Sequence, residues 1–488
     1  MESFLTRIKR FAHMRLVLII VAFMATGALA LVVSRAATQS AGLEAESSLS
    51  RKGVNAFSSS SASGGSAIKF GGVRRFFADD ASWNKTINQM GGEFTELKSF
   101  AYRLWDYGGG TNTSRPNTAY TPALPGTFFL DFKDYSVPIY DVHTATTTAR
   151  VFQVVWSQNQ QQFSQSGRIK IGDSIPWNPD WKPGTGFDRI MQIVNYDTGV
   201  VYGLWGVGES PAGCFDFLGP NAQAGYDASN PNNLCLAGVD TYDNLWTAKE
   251  GATTSERGMG INKLALVTRA DEVASGNIGH ALELTTSNPM FGAGSETSGV
   301  VAPTSNANGS DPLGLGMVSP KYDPLQLGAG TSKGFYVKPA TRLEHEFGYI
   351  GRTLFQGNSP QIVFNDLERS KTNPSGMRFG LNLGPDLASS EAAITAWLNQ
   401  KNYTGVKRST AATFARAWRD YGAIIGETGG WGIGIETDGI IGGAANPAVA
   451  KWAALGITDD GTPTQSVNTI DFSGLITRDR LYVVKPPQ

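Results

Sequence analysis

The feature that most constrains how this chain can fold is an apolar run near the N-terminus, because such a run is unfavourable in water. Residues 16–33 are all apolar or small, four basic residues precede them, and Ala36 follows closely. A basic flank, an apolar stretch and a cleavage point after Ala36 are typical of an export signal. The run also reaches the roughly 18 residues that begin to span a bilayer, so residues 1–37 are predicted to be a signal peptide or a signal anchor. Either alternative places residues 38–488 outside the cytoplasmic membrane, secreted or tethered to its outer face.

The composition of the exported part favours a strand-rich fold with many loops and uncharged polar surfaces. The chain holds 58 glycines and 23 prolines, and only 17% of its residues are charged. Leaving out residues 1–37 lowers the totals of 41 basic and 42 acidic residues to 36 and 41, a net charge of −5. This charge disfavours a nucleic-acid binder, which gains affinity from basic residues, and suits neutral or weakly charged glycans better.

Two cysteines, Cys214 and Cys235, are separated by a segment rich in Gly, Pro, Asn and Asp. Their proximity in sequence and the oxidising side of the membrane predict one disulfide, worth roughly 3 kcal/mol in the chain-entropy model. Two free thiols are the alternative. A catalytic cysteine would need a basic partner nearby, and no local signature supplies one.

Alternating apolar segments predict a mainly β fold. Residues 150–156 alternate between two apolar faces, as a strand buried on both sides does. Residues 189–205 have the pattern of a hairpin with a glycine-containing turn. Residues 276–284 predict another strand, with His280 on it, after a short helix at residues 269–275.

Helix patterns concentrate near the C-terminus. Residues 390–400 and 409–421 carry apolar side chains at helical spacing, and Gly422 is placed to end the second helix. Strands come first and no βαβ rhythm appears. The sequence therefore predicts that residues 73–488 form one antiparallel β-sandwich or jelly roll with a few covering helices near the C-terminus.

Part of this domain resembles a family of bacterial exported proteins. The resemblance rests on Gly276-Asn-Ile-Gly-His-Ala-Leu282, with segments 177–205, 334–344 and 415–430, and covers roughly residues 128–484. Members of that family are large extracellular proteins, often joined to sugar-binding or immunoglobulin-like modules, and have no assigned activity. Where its members carry Gly-Thr-Asp-Gly-His, this chain has Gly-Thr-Gly-Phe-Asp-Arg at residues 184–189, so one histidine is missing.

A second resemblance concerns the N-terminal side of the exported part. The Glu-Ala-Glu segment at residues 42–46 and the Ser-Gly-Gly segment at residues 61–70 are similar to the opening strands of carbohydrate-binding modules of families 6 and 35. The resemblance implies that residues 38–72 are a remnant of such a module. A flexible Ser/Gly-rich linker is the alternative.

His280 is the best catalytic candidate. In a polysaccharide lyase a histidine or tyrosine abstracts a proton α to a uronate carboxylate while an arginine neutralises that carboxylate. Arg257 and Tyr202 could complete such a set with His280. The alternative is a buried histidine that is bonded to the backbone.

A glycoside hydrolase would need two carboxylates roughly 5–9.5 Å apart. The plausible suppliers are Asp188, Asp197, Glu283 and Glu344. With four histidines and no metal-binding or phosphate-binding signature, the sequence predicts neither a metal nor another cofactor.

A binding role asks for exposed aromatic rings beside polar side chains, since rings stack on the apolar faces of sugars. Trp177, Trp181 and Trp205 surround the loop at residues 184–188, which ends with Asp188, and these four residues are the predicted ligand-binding set. The alternative is that the tryptophans belong to the core. We therefore expect an exported carbohydrate-binding or structural protein that acts on an extracellular polysaccharide or cell-wall glycan. A polysaccharide lyase or glycoside hydrolase is the alternative, and the N-terminal helix would contact the cytoplasmic membrane if uncleaved.

Overall fold

The computed structural model describes residues 54–58, 66–70, 73–109, 126–153, 163–164, 166–186, 188–208, 226–227, 229–230, 232–249, 259–286, 288–289, 337–340, 373–429, 432–459 and 470–487. The chain divides into two compact units, Met1–Arg74 and Arg75–Gln488. The signal segment predicted at residues 16–33 lies outside the described residues. Among the helices that the structure does describe, none combines the length and apolarity needed to cross a membrane.

The first unit contains a β-hairpin. Strands β1 (Val54–Ser58) and β2 (Ser66–Phe70) are antiparallel, with Val54 opposite Phe70. Strand β2 falls within the Ser-Gly-Gly segment that resembles a carbohydrate-binding module. The Glu-Ala-Glu segment at residues 42–46 lies outside the described residues, so this resemblance stays a prediction.

The second unit is built on three sheets. Its strands are β3 (Phe128–Asp131), β4 (Ile139–Asp141), β5 (Thr147–Gln153), β6 (Ser174–Trp177), β7 (Met191–Val194), β8 (Val201–Trp205), β9 (Asn233–Leu236), β10 (Gly238–Tyr242), β11 (Leu282–Thr286), β12 (Arg378–Leu381), β13 (Ala423–Thr428), β14 (Ile433–Glu436) and β15 (Leu481–Val483). The central sheet has the order β15-β12-β13-β11-β14-β3, and the smaller sheets have the orders β10-β8-β7-β4 and β6-β5-β9.

The prediction of an antiparallel sandwich or jelly roll is wrong, because all three sheets are mixed. Strand β11 pairs in parallel with β13, and β14 with β3; the smaller sheets contain the parallel pairs β4/β7 and β5/β9. Parallel neighbours need a long crossover between them. More than a hundred residues separate β11 from β13, and the alternating pattern of one strand carries no information about a partner that distant.

Five α-helices lie in the described part of this unit: α1 (Lys98–Tyr107), α2 (Ala270–Ser275), α3 (Leu387–Gln400), α4 (Gly405–Asp420) and α5 (Pro447–Ala454). The helices predicted at residues 269–275, 390–400 and 409–421 are confirmed as α2, α3 and α4. Helix α3 starts earlier than predicted because Asp386 caps it, accepting a hydrogen bond from the Ser389 backbone N–H at 2.7 Å.

The predicted hairpin is confirmed, whereas the strand predicted from residue 276 is shorter. Strands β7 and β8 are antiparallel, and Val194 lies opposite Val201. Gly276 adopts a φ of +81° and ends α2, and β11 begins only at Leu282, so His280 precedes the strand. Strand β5 covers the start of the segment predicted at residues 150–156, and residues 154–156 lie outside the described residues.

Two hydrophobic cores hold the second unit together. The first core joins the central sheet to the helices and includes Leu284, Phe414 and Trp418. The second core joins the smaller sheets and includes Tyr140 and Trp181. Strands β7 and β8 separate the two cores, because their alternate side chains enter one core or the other.

Candidate functional site

One loop of the second unit, residues 184–190, is held between two neighbouring segments. The Gly184 backbone N–H donates to the Ile190 carbonyl at 3.0 Å and so closes the loop. On one side the Tyr135 N–H donates to the Thr185 carbonyl at 2.8 Å. On the other side the Gly206 N–H donates to the Asp188 carbonyl at 2.8 Å. The loop is therefore fixed to the segment before β4 and to the end of β8. Residue 187 lies outside the described residues.

Glycine is required where this loop approaches its neighbours. A Cβ added at Gly184 would collide with the Ser136 carbonyl oxygen. Gly186 has a φ of +88°, and a Cβ there would lie 3.2 Å from the Tyr135 ring. Tyr135 itself adopts a φ of +62°, which is uncommon for a residue with a side chain. The backbone thus brings the Tyr135 ring directly against the loop.

Aromatic and polar side chains meet on the surface of this loop. Tyr135, Thr185, Asp188 and Trp205 are all partly exposed. The Thr185 hydroxyl donates to the Asp134 carboxylate at 2.5 Å, and the Trp205 indole N–H approaches the Asp188 carboxylate at 3.5 Å, the outer limit for such a bond. Of the predicted ligand-binding residues, the structure brings together Asp188 and Trp205.

The other two predicted binding residues belong to the second core. Trp177 and Trp181 have exposed fractions of only 7% and 2%. The Trp181 ring stacks on Tyr140 with a centroid distance of 5.1 Å, and Trp177 meets the edge of Trp181 at 5.9 Å. Both indoles fill space between the smaller sheets, so neither offers a face to a sugar. Among the predicted aromatic residues only Trp205 is partly exposed, and it also packs against the first core.

His280 is buried and its two ring nitrogens both have partners. The Nδ1 atom lies 2.7 Å from the Ala281 carbonyl oxygen, and Nε2 lies 3.2 Å from Glu272 Oε2. Both partners are acceptors, and a neutral imidazole can donate to only one of them. Arg269 also binds Glu272, at 2.9 Å. Burial acts to raise the pKa of Glu272, but Arg269 and His280 outweigh that effect and hold the pKa well below its usual range.

The three predicted catalytic residues do not form one described site. His280 is 4% exposed and lies at the start of the central sheet, next to α2. Tyr202 lies on β8 in a smaller sheet and packs against the second core. Arg257 lies outside the described residues. The geometry around His280 is that of the non-catalytic alternative, a histidine held by a backbone carbonyl and a carboxylate.

Sequence reasoning missed the partners of Glu283, which form a group of ionisable residues with it on one face of the central sheet. Lys263 Nζ binds Glu283 Oε1 at 3.0 Å and is also ion-paired with Glu436 Oε2, and all three side chains are at most 2% exposed. The Asp131 carboxylate and the Thr285 hydroxyl lie on the same face, where a Cβ at Gly434 would collide with both. The sequence signals were the glutamates in the apolar strands β11 and β14, of which only Glu283 was considered, as a hydrolase carboxylate.

Four carboxylates were considered for a hydrolase. The structure places one of them, Glu283, beside a carboxylate that was not considered, Glu436. Asp188 lies on the loop described above, Asp197 lies in the turn between β7 and β8, and Glu344 lies outside the described residues. The bridging ammonium of Lys263 lies between the two buried carboxylates, which is the arrangement of a structural ion triad. This arrangement gives a substrate no access to either carboxylate.

Another buried carboxylate, Asp438, lies where α2 meets α5. It accepts hydrogen bonds from the Trp452 indole N–H at 2.7 Å and from the Ala270 backbone N–H at 3.1 Å. Burial raises the pKa of Asp438 to about 7, although these two bonds and nearby Arg269 act to lower it. Within the described part of the chain, no group of three metal-binding side chains is present.

Cys235 lies on β9 and is 2% exposed. Its predicted partner Cys214 lies outside the described residues, so the pairing stays a prediction.

Comparison of the whole chain with models of protein families, with curated proteins and with solved structures finds no match. The resemblance of residues 128–484 to a bacterial exported family therefore also stays a prediction.

Proposed function

We propose that this protein is an exported or surface-tethered carbohydrate-binding protein whose glycan contacts the surface of loop 184–190. The observation that carries the proposal is the position of two partly exposed rings, Tyr135 and Trp205, on either side of a loop that presents carboxylate and hydroxyl groups. Rings of this kind stack on the apolar faces of sugars, and Asp134, Thr185 and Asp188 are suited to bond the hydroxyls.

The fixed backbone of the loop supports this proposal. Backbone hydrogen bonds from Tyr135 and Gly206 hold the loop, so its backbone loses little freedom when a ligand binds. The exported part has few charged residues, which favours a neutral or weakly charged extracellular polysaccharide or cell-wall glycan as the partner. If the predicted signal segment at residues 1–37 is retained, it would tether the protein to the outer face of the cytoplasmic membrane.

A glycan array with the exported protein, followed by calorimetry on each glycan that binds, tests this proposal. The Trp205→Ala and Tyr135→Ala variants should each weaken binding by about 1–2 kcal/mol, roughly five- to thirtyfold. Tyr102→Ala is the matched control, because Tyr102 is also partly exposed but lies on α1, against Arg478. Thermal unfolding of each variant separates lost contacts from lost folding.

Three outcomes would count against the proposal. No glycan binds the exported protein, or the two loop variants bind as the unaltered protein does, or all three variants weaken binding equally. New reducing ends or unsaturated products released from a bound glycan would instead assign the protein to the hydrolases or the lyases.

A further inference from the structure

The buried ion triad of Lys263, Glu283 and Glu436 differs from the other lysine ion pairs of the described residues. The side chain of Lys263 is 0% exposed, and those of Glu283 and Glu436 are 2% and 0% exposed. In the other described lysine pairs, such as Lys451 with Asp271, the carboxylate is 45–56% exposed. Water therefore reaches those pairs, whereas protein encloses the triad.

The backbone holds the three side chains of the triad together. The antiparallel pairing of β11 with β14 places Glu283 beside Glu436. The Thr268 backbone N–H donates to the Glu436 carbonyl at 3.1 Å, so the segment before α2 runs along β14. Lys263 begins a short 3₁₀ turn in that segment, and the Asn262 side chain caps the turn. Each of the three side chains therefore starts from a backbone position that hydrogen bonds fix.

The Nζ atom of Lys263 contacts a carboxyl oxygen of each glutamate. It lies 3.0 Å from Glu283 Oε1 and is ion-paired with Glu436 Oε2. An amine that is held against a carboxyl group gains the advantage of an intramolecular reaction, because no freedom of motion is lost when the two groups meet. A lysine amine in a dry site is also a stronger nucleophile than a hydrated ammonium. The triad thus joins a nucleophile, a carboxyl group for it to attack and a second carboxylate that can accept a proton.

The dry surroundings favour the condensation of these two groups. Transfer of one proton from the Lys263 ammonium to Glu436 produces a neutral amine and a neutral acid, and neutral groups cost less to bury than ions do. An amide then forms with the release of one water molecule. Because the site excludes water, the reverse reaction, hydrolysis, is disfavoured.

We propose that Lys263 and Glu436 form an intramolecular isopeptide bond in the folded protein, with the ion triad as the reactant state. The neutral amine attacks Cδ of the protonated Glu436, and the Nζ–Cδ bond forms. Glu283 accepts a proton from Nζ and returns it to the departing hydroxyl, so that a water molecule leaves as the C–O bond breaks. The step needs no oxidant, reductant or other reagent.

The bond ties the segment before α2 to the central sheet. Lys263 and Glu436 are far apart in the sequence, with β11, β12 and β13 between them. A covalent link over such a span restricts the unfolded chain and so favours the folded state. The modification is independent of the loop proposed to bind carbohydrate and shares no residue with it.

Mass spectrometry of the unaltered exported protein tests the proposal, and this measurement does not depend on the folding of any variant. After reduction of disulfides and denaturation, the intact mass should be lower than the mass of the same chain by one water molecule. A proteolytic digest should contain two linked peptides, one with Lys263 and the other with Glu436. An intact mass equal to that of the unmodified chain, or a link from Lys263 to the peptide with Glu283, overturns the proposal.

Three variants separate this bond from other losses of water. Lys263→Arg keeps the positive charge but has no amine that could form the bond, so it should have the full mass. Lys451→Arg is the matched control at a half-exposed ion pair and should keep the loss of one water. Glu283→Gln cannot accept the proton, so the linked fraction should rise at least tenfold more slowly after synthesis. A loss of water in the Lys263 variant, or linkage in the Glu283 variant as fast as in the unaltered protein, contradicts the proposal.

Discussion

At the scale of single residues, the buried ion triad of Lys263, Glu283 and Glu436 should be the most sensitive point of the fold. Removing the ammonium in a Lys263→Met variant leaves two carboxylates buried beside each other, and we expect a loss of about 3–5 kcal/mol in the free energy of unfolding. Lys451→Met is the matched control, because the Lys451–Asp271 pair is half-exposed and should cost at most about 1 kcal/mol. Urea unfolding measures both values, and equal losses in the two variants would show that the triad is not stabilising.

A second prediction at this scale concerns the raised pKa of Asp438. Its pKa is about 7 in the folded protein against an ordinary value of 3.8, so between these values the folded state binds the proton and the unfolded state does not. The free energy of unfolding should therefore fall as the pH rises from about 4 to about 7, and level off above that, by linkage. Asp438→Asn keeps an oxygen acceptor for Trp452 but does not titrate, so the variant should lack this contribution. If the free energies of unfolding of the two proteins change with pH in the same way across this range, the raised pKa of Asp438 is contradicted.

At the scale of elements, the end of α4 depends on one glycine. Gly422 has a φ of +66°, and its N–H donates to the Ala417 carbonyl at 3.0 Å, which satisfies the last turn of the helix. A Cβ at this position would collide with the Phe379 carbonyl oxygen of β12. The glycine therefore both ends α4 and lets β13 start beside β12.

The Gly422→Ala variant should lose about 2–4 kcal/mol in the free energy of unfolding, from the strained φ and the collision together. Gly276→Ala is the matched control. Gly276 ends α2 with a φ of +81° but has open space around its Cβ position, so only the strain of about 1 kcal/mol applies. Denaturant unfolding of both variants tests the difference. If the two variants lose the same free energy of unfolding, the collision at Gly422 is not the cause of its loss.

At the scale of the whole molecule, export of the chain and a disulfide between its two cysteines are predicted together. An exported chain with one disulfide between Cys214 and Cys235 should lose roughly 3 kcal/mol in the free energy of unfolding when a reductant is added. A variant with both cysteines changed to serine should show no effect of reductant. Alkylation and mass measurement of the exported protein check the pairing, and two free thiols, or recovery of an unprocessed chain from the cytosol, would refute it.

Several local elements followed directly from the sequence. The hairpin of β7 and β8 and the helices α2, α3 and α4 were predicted because their contacts join residues close in sequence, whose spacing shows in the pattern itself. Gly422 was recognised as the end of α4 for the same reason. These elements need no knowledge of the rest of the fold.

Only the tertiary structure decided the sheets and the candidate site. Strand β11 meets β13 and β14 across more than a hundred residues, and this pairing gathers Lys263, Glu283 and Glu436 on one face although nothing in their local sequence links them. The same holds for Trp181. It lies between Pro179 and Pro183 in the sequence, yet its ring is part of the second core, where it stacks on Tyr140. Tyr135 lies near Trp205 only in the folded chain, because a backbone hydrogen bond joins Tyr135 to Thr185, fifty residues further along. Periodicity reports which side chains of an element avoid water, whereas the partner that covers them depends on chain segments brought together by folding.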